Sequence, residues 1–160
     1  MAIWFNRKKE REESSLYVLF DSGLLVDEWM SEWNEVVAPF TEVVGFTSFG
    51  LIVLLDSKTS TFAVLNPLSS TLVSFGSAQT IRDFEEMHLS DAASRKEFLR
   101  ADDIEQLRKL KGPLGKQEVY FPVPYPLDGG NSKLETYEKG DVWVFLANVA
   151  QAWERKNGRR

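Results

Sequence analysis

Between Thr41 and Gly76 the chain reads TEVVGFTSFGLIVLLDSKTSTFAVLNPLSSTLVSFG, a series of short apolar stretches, each closed by polar, Gly, Ser or Pro residues. That punctuation predicts a strand meander. Asp56–Ser60 and Asn66–Ser70 are read as hairpin loops between Leu51–Leu55, Thr61–Leu65 and Thr71–Phe75. Leu51–Leu55 is apolar throughout, which suits a central strand covered on both faces. Thr61, Ala63 and Leu65 alternate with Phe62 and Val64, the pattern of a half-exposed strand. Upstream, Leu16–Phe20 has the length of a strand, and Asp21-Ser22-Gly23 is read as its stop.

Elsewhere the apolar period lengthens to that of a helix. Trp29, Met30, Trp33, Val36 and Val37 fall on one helical face, with Asp27 as the expected N-cap and Pro39 as the terminator. Both tryptophans are expected to point toward the sheet. In Ser77–His88, Thr80 is placed to cap, and Ile81, Phe84 and Met87 or His88 define the inner side. Ser94-Arg95-Lys96-Glu97 has the spacing of a capping box. Ile104, Leu107 and Leu110 predict another helix, with Asp102 and Asp103 at its start, Arg108, Lys109 and Lys111 at its end, and Gly112-Pro113 beyond. Val119–Val123 reads as an edge strand running into prolines, and Asp128-Gly129-Gly130-Asn131 as a turn. The most regular stripe, Val142, Phe145, Leu146, Val149, Ala150 and Trp153, predicts a C-terminal helix over Asp141–Trp153. The expected architecture is therefore α+β, an antiparallel sheet built on residues 41–76 with helices packed on it. Residues 14–153 form one domain, flanked by polar segments at 1–13 and 154–160.

Composition narrows the functional classes. At 43% hydrophobic and 27% charged residues, the chain is neither disordered nor collagen-like. No apolar run has the roughly 20 residues that span a bilayer, and residues 1–10 lack the layout of a secretory signal, so the cytoplasm is the expected compartment. Cysteine is absent, which excludes disulfides and thiolate chemistry. A net charge of −5 argues against direct nucleic-acid binding, which needs a positive surface, and suits a basic partner better.

Candidate chemistry is sparse. His88 is the only histidine, at the end of a helical run, where capping or a surface position is commoner than catalysis. Glu85-Glu86, Asp91 and Asp102-Asp103 lack the spacing of a calcium loop. No P-loop, GxGxxG or Gly-x-Ser-x-Gly motif occurs. The chain is expected to have no catalytic activity, metal or cofactor.

Two stretches add a resemblance. Val43-Val44-Gly45-Phe46-Thr47-Ser48-Phe49-Gly50 is followed by an apolar strand and hairpin. Gly112-Pro113-Leu114 leads through Tyr120-Phe121-Pro122 to Tyr125-Pro126-Leu127-Asp128-Gly129-Gly130. In this order they resemble the C-terminal domain family of type VI secretion immunity proteins, related to GAD-like immunity domains, over about Glu42 to Trp153. The resemblance implies a cytoplasmic protein that binds a cognate effector toxin, often a nuclease, and neutralises it stoichiometrically. The acidic residues Glu85, Glu86, Asp91, Asp102, Asp103 and Glu105 are the toxin-binding candidates, since an acidic surface suits the basic cleft of a nuclease. No family motif marks them as contacts. A non-catalytic small-ligand-binding or regulatory adaptor domain is the alternative.

Overall fold

Short apolar strands with tight loops pair with their neighbours in sequence, and this chain does so in three successive hairpins. The computed structural model describes residues 15–158, so the expected N-terminal arm lies outside the described residues. Strands β1 (Tyr17–Leu25), β2 (Glu42–Thr47), β3 (Ile52–Asp56), β4 (Thr61–Asn66) and β5 (Thr71–Ser77) form one sheet in that order, every pair antiparallel. Both predicted hairpin loops are present and built alike. The Asp56 carboxylate accepts from the Lys58 N–H and the Asn66 side chain from the Leu68 N–H, each at 3.1 Å. Ser60 and Ser70 then take the left-handed conformation, at φ 56° and 54°. At the Phe49-Gly50 corner, Gly50 has φ +81° and the Phe145 ring lies where a Cβ would stand, so only glycine fits.

The crossover from β1 to β2 carries α1 (Val26–Trp29), a 3₁₀ turn at Ser31–Trp33 and α2 (Asn34–Val37). After β5 come α3 (Ile81–His88), a π-helical turn at Ser94–Phe98 and α4 (Ala101–Lys111). A second ladder pairs β6 (Glu118–Pro122) with β7 (Tyr137–Asp141), and α5 (Val142–Lys156) ends the described chain. The architecture is α+β.

The helices cover both faces of the sheet. On one face Phe46, Ile52, Leu54 and Leu65 pack with Met30, Trp33 and Val37 and with Phe145, Leu146 and Val149 of α5. On the other, Val44, Val53, Phe62 and Val64 meet Phe84, Leu99, Ile104 and Leu107 of the α3–α4 layer. Val43 and Phe46 share a face because the β2–β3 register slips between Val43 and Gly45. Two-sided cover buries Phe62, Ala63, Val64 and Leu65 together, so β4 is not the half-exposed strand its alternation suggested. Phe62 stacks on Phe84 with ring centroids 4.6 Å apart, a contact of about 1 kcal/mol beyond its burial.

Several boundaries also differ. Asp21-Ser22-Gly23 does not stop β1; the strand absorbs these residues as a register irregularity between Leu19 and Leu24, tolerable on an edge strand. The single helix expected around Trp29 breaks at Met30 (φ −150°, ψ 50°). Met30, Trp33 and Val37 remain buried while Trp29 and Val36 turn outward. Leu25, not Asp27, holds the N-cap position of α1, and Asp27 accepts instead from the Asn34 side chain. The Ser94 capping box does not form, because Asp91 receives both the Ser94 N–H and O–H. Leu110 is exposed, leaving Ile104 and Leu107 as the inner side of α4, and in α3 Met87 is exposed while His88 packs on Phe75 and Phe84. Asp141 caps α5 by accepting from the N–H groups of Trp143 and Val144, and the helix runs to Lys156, past the expected end at Trp153.

Candidate functional site

The six acidic candidates all lie in the α3–α4 layer, and most are engaged within the fold. Glu85 accepts a 2.6 Å hydrogen bond from the Tyr17 hydroxyl of β1. Burial, then that bond and the Glu85 charge, push the Tyr17 phenol up to about 12. Asp91 caps the turn at Ser94, and the Ser94 hydrogen bonds hold its carboxyl below the usual range. Asp103 takes two bonds from Arg100, at 2.9 and 3.0 Å, while the Arg100 guanidinium also lies 3.8 Å over the Phe49 ring. Glu105 pairs with Arg108 at 2.8 Å, which lowers its pKa, and with Lys109 at 3.9 Å. Glu86 reaches Arg82 only at 4.0 Å, and Asp102 has no partner among the described residues. From Ile81 to Lys111 eight carboxylates face seven basic side chains, so the layer as a whole is nearly neutral.

The charge imbalance lies elsewhere. No basic residue occurs from residue 15 to residue 57, and Asp21, Asp27, Glu28, Glu32, Glu35 and Glu42 all fall within this run. Four of these carboxylates, Asp27, Glu28, Glu32 and Glu35, are on the outer side of the α1–α2 segment and exposed. Asn34 Nδ2 donates to Asp27 at 3.0 Å and ties the start of α2 to α1. Glu28, Glu32 and Glu35 make no hydrogen bond or ion pair among the described residues. Interleaved with them are apolar side chains that the fold leaves out: Leu25 at 50% exposure, Trp29 at 44% and Val36 at 38%. Leu25, the extended residue that ends β1, and Trp29, the last residue of α1, flank the buried Val26.

Trp29 and Trp33 diverge because their backing differs. Trp33 is inserted against α5, and its indole N–H donates to the Leu146 carbonyl at 3.0 Å. Trp29 has Trp143 on one side, 5.0 Å between ring centroids, and solvent on the other. The Trp143 indole N–H is itself buried with no acceptor among the described residues. Sequence reading assigned both tryptophans to the core. The unbroken acidic run was the available signal for this surface, and it was diluted by taking net charge over the whole chain.

A shallow depression of about 480 Å³ lies beside α3, lined in part by Ser60, Gln79, Asp83, Glu86 and Met87. Among the described residues, neither Ser60 nor Ser77 in its lining hydrogen-bonds to Asp83 or Glu86. His88 packs edge-on against Phe75, with centroids 5.0 Å apart. Among the described residues no three His, Asp or Glu side chains converge as a metal site, and no helix is long and apolar enough to cross a membrane.

Neither a protein-family model nor a curated protein sequence matches the chain. Among solved structures it is similar to the crystal structure of Atu4351 from Agrobacterium tumefaciens, with 15% identity and a TM-score of 0.57 over 88% of this chain and 68% of that one. At that identity the likeness shows the fold alone.

Proposed function

We propose that this protein is a non-catalytic immunity protein of the cytoplasm that neutralises a basic effector toxin by stoichiometric binding. The toxin class comes from the resemblance carried by the Phe49-Gly50 corner and the Pro126-Leu127-Asp128-Gly129-Gly130 turn. The observation that supports binding of a basic partner is the segregation of charge: six carboxylates and no basic side chain between Asp21 and Glu42. A nuclease concentrates positive charge in the cleft that holds phosphate, and a one-signed acidic surface accelerates encounter with such a cleft and competes for it. Steering of this kind sets rate and specificity, while buried apolar anchors supply affinity.

Co-expression with the product of each gene flanking its own provides the test. The expected result is a one-to-one complex with a basic neighbour, and restored growth of cells in which that neighbour is toxic. Absence of binding to every flanking product, with no protection of cells, would overturn the immunity reading.

A further inference from the structure

We propose that the partner docks on the outer face of α1–α2, with Trp29 as its apolar anchor and Asp27, Glu28, Glu32 and Glu35 as its acidic rim. The partner's identity as a toxin rests on the immunity reading; the position of the surface and its preference for a basic protein do not.

The first argument is the contrast between two tryptophans four residues apart. Trp33 is 2% exposed, whereas Trp29 keeps 44% of its surface in water, and Leu25, just before α1, is 50% exposed. A tryptophan left out by its own core, supported on one side by another ring, is the kind of group that anchors protein interfaces, where a rigid indole fills a pocket and is desolvated. The supporting ring, Trp143, also holds a buried indole N–H without an acceptor. The second argument is charge. Glu28, Glu32 and Glu35 are free of internal ion pairs among the described residues, unlike Asp103 and Glu105 in the other layer. Free carboxylates interleaved along one short segment with exposed apolar side chains select a partner with Lys or Arg beside an apolar pocket, and disfavour nucleic acid and anionic membrane alike. The occupant is therefore a protein surface with a basic rim and a recess that accepts an indole.

The variants Trp29→Ser and Glu28→Lys/Glu32→Lys/Glu35→Lys separate anchor from rim, with Glu86→Lys/Asp102→Lys as the control in the α3–α4 layer. Each is first shown to melt cooperatively with the parent's circular dichroism. Binding is measured to the flanking-gene product captured by co-expression and, independently, to peptides selected on the parent protein from a random display library. Trp29→Ser is expected to weaken binding by about thirtyfold or more. The triple reversal should slow association about tenfold or more at low salt, a difference that shrinks as ionic strength rises. The control should bind like the parent, and selected peptides should carry Lys or Arg beside an apolar residue. If a flanking product binds the Trp29→Ser and triple variants as it binds the parent, the surface is wrong and the immunity reading stands. If no flanking product binds but the selected peptides require Trp29 and the glutamates, the surface stands and the immunity reading falls. Peptides indifferent to both sets of substitutions would overturn the surface in the absence of a partner.

Discussion

The helical layers on the two faces of the sheet both carry many carboxylates and end with different surfaces. In the α3–α4 layer acidic and basic side chains alternate along the chain. Arg100 and Arg108 close back on Asp103 and Glu105, and Tyr17 reaches across from β1 to Glu85. In the α1–α2 layer there is no basic residue to close back, and the break at Met30 turns Trp29 and Val36 away from the core. The first layer pairs several of its charges internally, and the second leaves Glu28, Glu32 and Glu35 without an ion pair among the described residues. A count of carboxylates therefore does not locate an interaction surface; what matters is which of them remain unpaired after folding.

The largest test of this contrast compares Trp33 with Trp29. Trp33→Ala removes a buried ring and its hydrogen bond to the Leu146 carbonyl, so chemical denaturation should show a loss of about 3–5 kcal/mol. Trp29→Ala should cost less than about 1 kcal/mol, because one face of the ring is already in water. Equal losses would mean that Trp29 belongs to the core after all.

A second, smaller effect concerns the bond that ties the α3–α4 layer to the sheet. Burial and Glu85 raise the Tyr17 phenol from 10.0 to about 12. A folded-state pKa above the unfolded one contributes stability that is complete below the unfolded value, so this contribution persists below pH 10 and disappears as pH rises from 10 toward 12. Ultraviolet titration should show, besides Tyr125, which burial also raises, a late-ionising tyrosine that Tyr17→Phe removes and Glu85→Gln moves back toward 10.0. An unchanged titration in Glu85→Gln would leave burial as the sole cause.

The smallest effect is the coupling of surface ions. A double-mutant cycle on Arg100 and Asp103 should give about 0.5 kcal/mol, because both side chains are 37% exposed and screened by solvent. Single replacements of Glu28, Glu32 or Glu35 by Gln should leave the melting temperature unchanged, since no partner among the described residues is lost. Destabilisation by any of these three would reveal a pairing and weaken the case for a free acidic rim.

Much of the fold was legible before folding. Asp56 and Asn66 announce loops because their side chains bond a backbone N–H two residues on, and Thr80 announces a helix because it accepts from the Asp83 N–H. The stripe from Val142 to Ala150 is buried as its period predicts. Ser94 misled for a related reason: its capping-box spacing is local, but Asp91, three residues earlier, competes for the same N–H. The site was less legible. The acidic run is visible in the chain, but the exposure of Trp29 is not, because its neighbours at helical spacing point inward.

The sequence by itself determined the meander, its two hairpin loops and the amphipathic C-terminal helix, all consequences of contacts within a few residues. It also determined that residues 15–57 carry only negative formal charge. Tertiary structure alone decided that both faces of the sheet are covered, which buried β4 throughout. It placed the Trp33 indole on a carbonyl 113 residues away and brought Tyr17 to Glu85 across 68 residues. The physical reason is range. Periodicity reports which side of an element is apolar, while burial and ion pairing depend on what distant segments bring to that side.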